Sequence, residues 1–324
     1  MARHNFFKSF DGTKIFYSKE GQGPVLLFCY GLVCSKLHWA YQMEYFKQKG
    51  YTVVWFDYRG HHNSEIPKDI GKLTLENIAH DAQYLLEELK IENVTVLGHS
   101  MGVNVVLELY RRIPEKIQAL VLANGSARAP LETMFRSNIS QFVFPVLYNF
   151  YKKYPNIANL LWSAQGKSKI APWLVAQLGF NPNLARTEDV EAYIKLVAKL
   201  DMIVLLQLLK DYENYDATSW LHEIKVPTLV ISGENDFIIP YEAQEVMHQL
   251  IPYSKFELIR NGSHCPQMDI PDLVNLIIER FLNEASQTNT NKKTEYSYPN
   301  SQDQNTQLSS CISSAQTSRQ REIS

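Results

Sequence analysis

The sequence has little of what marks exported, membrane-spanning or disulfide-rich proteins. Its four cysteines in 324 residues form no C-x-x-C pair and are too few for a disulfide framework. The amino-terminal residues reach a charge, at Lys8, before any apolar run of signal-peptide length. The most apolar stretches, such as residues 202–209, are far shorter than the roughly 20 residues that span a bilayer. We therefore expect a cytoplasmic protein with no export signal and no transmembrane segment.

An excess of charge of one sign is missing too. The 32 Lys and Arg residues oppose 34 Asp and Glu residues, which gives a formal net charge of −2. The chain thus has no overall positive charge to attract phosphate groups, and we do not expect nucleic acid as a partner. His61 and His62 are adjacent, but no carboxylate or cysteine cluster at ligand spacing accompanies them, so we expect no metal and no cofactor.

Composition divides the chain near Ala285. Residues 286–324 are rich in Ser, Gln, Asn and Thr and have few large apolar side chains, so they cannot bury enough surface to offset the entropy of ordering. We predict a disordered polar tail there. The chain as a whole is 45% hydrophobic and 20% charged, which is typical of a globular protein.

Short apolar runs alternate with helical patterns before the tail. Residues 6–10 and 13–18 flank the turn signal Asp11-Gly12 and predict a hairpin. The apolar runs, which suit strands covered on both faces of a parallel sheet, are residues 25–29, 51–56, 94–97, 117–123, 228–231 and 256–259. Helical spacing follows Thr74 and again follows Pro271-Asp272. The alternation predicts an α/β fold with a doubly wound, mostly parallel sheet.

One long stretch interrupts this alternation. Residues 127–219 show helical periodicity with many aromatic side chains and no convincing buried strand. We expect a helical cap or lid over the sheet edge where α/β proteins bind ligands. The core is then residues 1–126 and 220–285, and an independent helical domain is the alternative.

The sharpest local signal is Gly98-His99-Ser100-Met101-Gly102, which lies between an apolar run and a helical run. A serine on a tight strand-to-helix turn exposes its hydroxyl above the sheet, and the flanking glycines avoid collisions with neighbouring elements. The turn also places Ser100 at a helix amino terminus, which favours developing negative charge. Ser100 is therefore the candidate nucleophile.

A serine nucleophile needs a base and an acid that orients the base. His264 follows the last predicted strand and is the best candidate for the base. Asp236 follows the strand before it and fits the acid, with Glu234 as a near neighbour and with Asp201 or Asp211 as more distant alternatives. The order along the chain is then Ser, Asp, His.

These motifs together resemble the α/β-hydrolase superfamily over about residues 6–285. The resemblance is to its capped, serine-nucleophile, esterase- or lipase-like members, and it implies an eight-stranded, mostly parallel sheet with the cap inserted after the sixth strand. It maps Ser100, Asp236 and His264 to nucleophile, acid and base. A serine in the turn argues against haloalkane dehalogenases and epoxide hydrolases, whose resemblance would require aspartate there.

The resemblance also implies an oxyanion hole made by the backbone N–H groups of Leu32 and Met101. Two positions depart from the family pattern. Tyr30 stands where the family usually has histidine, and His62 stands where the loop after the fourth strand usually has its second glycine. If that position needs a positive φ, His62 carries a strain of order 1 kcal/mol or more.

The sequence therefore predicts a serine hydrolase that cleaves a carboxylic ester of a small or medium hydrophobic substrate through an acyl-enzyme. Three alternatives use the same catalytic residues, namely acyl transfer, thioester cleavage and carbon–carbon bond hydrolysis. A fourth is a non-catalytic binding module that keeps the fold, for which Tyr30, His62 and the tail are the support.

Overall fold

The computed structural model describes residues 5–129, 139–164, 167 and 177–291. Its centre is one eight-stranded sheet with the strand order β1-β2-β4-β3-β5-β6-β7-β8. The strands are β1 (Asn5–Lys8), β2 (Lys14–Glu20), β3 (Val25–Cys29), β4 (Thr52–Phe56), β5 (Val94–His99), β6 (Ile117–Ala123), β7 (Thr228–Gly233) and β8 (Ser254–Ile259). Only the pairings β1 with β2 and β2 with β4 are antiparallel. The predicted eight-stranded, mostly parallel doubly wound sheet is confirmed.

The central strands form because their side chains can be buried on both faces of the sheet. All five residues of β4 and all six of β7 are buried. The register aligns Cys29 with Gly98, and Gly98 with Leu122. The carboxyl ends of β3, β5 and β6 therefore meet at one edge, and the loops that follow them approach each other there.

Helices cover the sheet and are inserted between its strands. They are α1 (Ala40–Gln48), α2 (Leu75–Glu88), α3 (Met101–Arg112), α4 (Ile139–Lys153), α5 (Pro155–Ala164), α6 (Thr187–Val197), α7 (Met202–Tyr212), α8 (Tyr241–Leu250), α9 (Pro266–Asp269) and α10 (Pro271–Asn291). Thr74 caps the amino terminus of α2, because its Oγ1 accepts from the Asn77 N–H at 3.1 Å. No helix in the described part of the chain is long and apolar enough to cross a membrane.

The helices α4 to α7 lie between β6 and β7 in the chain, within the stretch that we expect to form the cap. Its two ends pair in an antiparallel bridge, in which Ala129 donates to the Tyr215 carbonyl at 2.7 Å and Ala217 donates to the Ala127 carbonyl at 2.8 Å. A small core joins three of the helices and consists of Phe144, Ala158, Met202 and Leu206. The insertion thus has packing of its own and a closed stem.

The chain divides into two units, residues 1–283 and 284–324. The candidate site described below lies entirely in the first. The helix α10 continues to Asn291, so the first residues of the stretch from Ser286 that we predict to be a tail are helical. The rest of that stretch, residues 292–324, lies outside the described residues.

Candidate active site

Ser100 occupies a tight turn between β5 and α3 and has φ +56°. A Cβ atom on Gly98 would lie 2.6 Å from the Gly102 carbonyl oxygen, and one on Gly102 would lie 2.5 Å from the Cys29 carbonyl oxygen. Both positions therefore require glycine. Ser100 is the amino-terminal cap residue of α3, but its hydroxyl makes no capping hydrogen bond. The hydroxyl is thus left available above the sheet, as the sequence pattern predicts.

The structure brings Ser100, His264 and Asp236 together, although they are far apart in the chain. His264 Nε2 lies 3.0 Å from Ser100 Oγ. On the other side of the ring, His264 Nδ1 lies 2.9 Å from Asp236 Oδ2 and 3.1 Å from Oδ1. Only 2% of Asp236 and 6% of His264 are exposed. A buried carboxylate only accepts, so Nδ1 carries the proton and Nε2 is free to accept the serine proton.

The Asp236 carboxylate is held by a full set of donors. Oδ1 accepts from the backbone N–H groups of Ile238 at 2.9 Å and Ile239 at 2.8 Å. Oδ2 accepts from Asn124 Nδ2 at 2.8 Å and from Gln244 Nε2 at 3.3 Å. These four bonds fix the orientation of the Asp236 carboxylate toward His264.

Asn124 is a site residue that the sequence did not indicate. It follows β6 with φ +50° and is fully buried. Besides Asp236, its amide donates to the Ser263 carbonyl at 3.1 Å. Asn124 thus connects Asp236 to the residue before His264. Asparagine tolerates this left-handed conformation better than most residues, which is the only signal that the sequence could have offered.

A second buried carboxylate, Asp269, fixes the loop that carries His264. It accepts from Ser263 N–H at 2.9 Å and from Ser263 Oγ at 2.6 Å. Its other oxygen accepts from the Asn181 N–H at 3.0 Å, and Ser263 Oγ also lies 3.1 Å from the Gly179 carbonyl oxygen. Residues 179–181 belong to the inserted stretch, so the insertion is bonded directly to the histidine loop.

The loop after β3 lies against Ser100. A Cβ atom on Gly31 would lie 3.0 Å from Ser100 Cβ, so backbone and serine are at contact distance. Leu32 follows on this loop, and Met101 begins α3 next to Ser100. Val33 has φ +50°, which is a strained conformation for a β-branched residue. Packing of its side chain against Val197 and Leu200 holds the loop in this shape.

Tyr30 is fully buried and supports the same loop. Its hydroxyl accepts from the Tyr58 N–H at 2.9 Å and lies 3.5 Å from Asp57 Oδ1. In return, the Tyr58 hydroxyl donates to the Tyr30 carbonyl at 2.8 Å, and the two rings stack at 4.2 Å. Burial raises the pKa of Tyr30 well above its usual value, so it stays neutral. The departure from histidine therefore has a complete set of partners of its own.

His62 has φ +46°, so the strain that we expect at this position is present. Its Nε2 donates to the Cys34 carbonyl at 2.7 Å. Glycine could not make this bond. The second departure from the family pattern thus ties the loop after β4 to the loop after β3, on which the predicted oxyanion donor Leu32 lies.

Other titratable groups lie beneath the site and are neutral. His99 Nε2 donates to the His264 carbonyl at 2.8 Å, and burial lowers the pKa of His99 well below its usual value. Burial raises the pKa of Cys265 well above that of a free thiol, so it is a poor nucleophile. Among the described residues, no group of three or more His, Cys, Asp or Glu side chains could hold a metal ion.

The inserted helices contribute apolar side chains next to these loops. Val190 and Ile194 of α6 pack with Phe180 against Cys265 and Met268. Leu32 packs beside Trp162 and Leu205 in the cluster around Val33. An apolar ligand would be compatible with such surroundings.

Known proteins resemble this chain over most of its length. The profile of the α/β hydrolase fold family matches residues 24–271. The chain is 22% identical over 305 residues to bifunctional epoxide hydrolase 2 of Mus musculus, which covers 86% of this chain and 55% of that protein. It is 25% identical over 283 residues to epoxide hydrolase 4 of Mus musculus, with 85% and 78% covered. The chain therefore spans about half the length of the bifunctional relative.

Among solved structures, an esterase from Exiguobacterium antarcticum superposes with a TM-score of 0.71 at 21% identity, covering 87% of this chain and 100% of the esterase. At such identities a structural match establishes the fold alone. The family profile covers well over half of the residues and overlaps all the loops described above. The chain therefore belongs to the α/β-hydrolase fold family.

Proposed function

We propose that this protein is a serine hydrolase that cleaves a carboxylic ester of a small or medium hydrophobic substrate through an acyl-enzyme. The observation that carries the proposal is the hydrogen-bonded series of Ser100 Oγ, His264 and the Asp236 carboxylate. A serine hydroxyl becomes an effective nucleophile when a base at this distance accepts its proton and an acid orients that base.

In the first step, Ser100 Oγ forms a bond to the ester carbonyl carbon while its proton passes to His264 Nε2. The carbonyl electron pair moves to the oxygen, where the backbone N–H groups of Leu32 and Met101 stabilise the negative charge. Asp236 stabilises the imidazolium. The bond to the leaving alcohol oxygen then breaks, and His264 returns the proton to that oxygen.

In the second step, water attacks the acyl-enzyme and gives a proton to His264. The bond between the acyl carbon and Ser100 Oγ breaks, Ser100 regains the proton, and a carboxylic acid leaves. The overall reaction consumes one ester and one water and releases one alcohol and one carboxylic acid.

One observation favours an ester over an epoxide as the substrate, and another favours a hydrophobic substrate. Ser100 occupies the turn at which the family resemblance requires aspartate for epoxide hydrolases. The apolar residues around Val33 and Phe180 favour a hydrophobic group next to the reacting carbonyl.

The test is covalent labelling with a fluorophosphonate probe together with turnover of short p-nitrophenyl esters. Ser100→Ala should abolish both without unfolding the protein, whereas Ser163→Ala, at an exposed serine of α5, should change neither. Retained turnover in Ser100→Ala would remove Ser100 as the nucleophile. A folded wild-type protein that neither labels nor turns over esters would favour the non-catalytic module, and product analysis separates hydrolysis from acyl transfer.

A further inference from the structure

The helices α4 and α5 present an exposed hydrophobic face that the proposed hydrolytic site does not use. Eighteen large hydrophobic side chains are exposed among the described residues, and nine of them lie between residues 142 and 161. The most exposed are Leu160 at 69%, Val146 at 68% and Phe142 at 67%. An apolar concentration of this kind marks an interaction surface, because single exposed apolar residues are ordinary but a cluster is not.

We define the α4–α5 face by six of its side chains, which are Phe142, Val146, Phe150, Ile157, Leu160 and Leu161. The three on α4 are spaced four residues apart, so they lie on one side of that helix. The opposite side is already occupied, because Phe144 of α4 and Ala158 of α5 pack against Met202 and Leu206 of α7. The exposed side chains are therefore not needed to attach the two helices.

The sequence interval that contains this face carries charges of one sign. No acidic residue occurs between Glu132 and Glu188, whereas the cations in that interval are Arg136, Lys152, Lys153, Lys167, Lys169 and Arg186. Lys152 and Lys153 are exposed at the end of α4 and lie over the rings of Tyr148 and Tyr154. This interval is thus basic in a chain whose formal net charge is −2.

We propose that the α4–α5 face binds the surface of a lipid bilayer that contains anionic headgroups. Helices that lie in the plane of a membrane interface combine large apolar side chains on one face with Lys and Arg beside them. The apolar side chains enter the acyl boundary, while the lysines face the negative surface potential.

A second copy of the chain fits this face less well. In a two-fold symmetric dimer the same patch lies on both subunits, so the Lys152–Lys153 pairs would be brought toward each other with no acidic residue in either copy between Glu132 and Glu188 to neutralise them. An anionic bilayer supplies the missing opposite charge.

The experiment is vesicle flotation of the full chain with phosphatidylcholine vesicles, with and without phosphatidylserine. The wild type should float with vesicles that contain phosphatidylserine and be released by salt. Lys152→Glu combined with Lys153→Glu should lower partitioning into these vesicles by about tenfold or more. Leu160→Ser combined with Leu161→Ser should lower it to a similar extent. The matched control is Leu276→Ser on α10, which is 57% exposed and should leave binding unchanged.

Three outcomes would overturn the proposal. The wild type could remain unbound with both kinds of vesicle. The Leu160/Leu161 variant could float as well as the Leu276 control, with circular dichroism showing both to be folded. The wild type could instead be a dimer in sedimentation that the Leu160/Leu161 variant converts to a monomer, without vesicle binding, which would assign the face to a second copy. Flotation does not depend on turnover, so a failure of the proposed hydrolysis is seen separately.

Discussion

Replacing Asp236 by asparagine should separate the chemistry of the site from its structure. The backbone N–H groups of Ile238 and Ile239 cannot turn away, so the amide oxygen of the new residue must stay on them. Its NH2 group then takes the place of Oδ2 and faces Asn124, Gln244 and His264. Each of these three groups donates a hydrogen bond to Oδ2 in the wild type, so each would now face another donor, the new NH2 group.

Two of these conflicts can be relieved by rotation. Asn124 Oδ1 and Gln244 Oε1 have no hydrogen-bond partner among the described residues, so each amide can turn its oxygen toward the new NH2 group. Asn124 would lose its bond to the Ser263 carbonyl, and Gln244 would lose its bond to the Ile239 carbonyl. We therefore expect a loss of about 2 kcal/mol in the free energy of unfolding, which is the usual net value of two hydrogen bonds.

The third conflict cannot be relieved without loss of function. The remaining oxygen lies 3.1 Å from His264 Nδ1 but already accepts from the Ile238 and Ile239 N–H groups, whereas the new NH2 group takes the nearer position at 2.9 Å. Opposite this donor His264 Nδ1 accepts, so the ring proton moves to Nε2 and points at Ser100 Oγ. The base can then no longer take the serine proton. This tautomer should lower kcat by about four orders of magnitude, or about 5 kcal/mol in the barrier, and leave KM largely unchanged.

The assay is kcat and KM on one p-nitrophenyl ester for wild type and four variants, with a urea titration of each. Glu234→Gln is the nearest control, because Glu234 is exposed and accepts only from the Asn261 N–H at 3.0 Å in the described structure. Asp201→Asn and Asp211→Asn test the other acids. Asp201 caps α7, and Asp211 accepts from the Leu75 N–H at the start of α2. A folded Asp236→Asn protein with kcat within about tenfold of wild type would refute the assignment.

Two further predictions concern stability. Asp269 accepts from three donors, and asparagine would offer them only one acceptor atom. Asp269→Asn should therefore lower the free energy of unfolding, measured by urea titration, by about 2–3 kcal/mol and should also lower kcat. Asp272→Asn, at an exposed residue, is the control and should change neither. Burial lowers the pKa of His38 and His61 to about 3, whereas an unfolded histidine has a pKa of about 6.5. Below pH 6.5 the unfolded state therefore binds more protons, and unfolding should become easier by about 1.4 kcal/mol per histidine between pH 7.5 and 5.5. Equal urea midpoints at the two pH values, or a His61→Gln variant with an unchanged pH slope, would contradict this.

The sheet could be predicted because parallel strands that are buried on both faces have continuous apolar runs in the sequence. The runs at residues 25–29 and 117–123 coincide with β3 and β6, while the hairpin strands, which alternate, begin and end one or two residues away from their predicted bounds. Alternating strands leave one face in solvent, so their ends have no sharp change in composition.

Ser100, Asp236 and His264 could be selected as candidates from the sequence because each follows a predicted strand. Few other types of side chain can serve as nucleophile, acid or base. The residues that hold them could not. Asn124 and Asp236 are 112 residues apart, and only the pairing of β6 with β7 brings them together. Asp269 looks in the sequence like an ordinary first-turn acid, because its partner Asn181 belongs to a stretch whose path no local pattern specifies.

The bonds between residues 179–181 and the histidine loop constrain any exchange of the inserted helices with those of a relative. At the stem, a backbone hydrogen bond between Ala129 and Tyr215 joins the two ends, and it does not depend on which side chains stand there. At Asn181, by contrast, a graft must present a backbone N–H to Asp269. A transplanted insertion that changed substrate preference but missed this contact would displace His264 as well, so its altered specificity would be hidden behind a general loss of turnover.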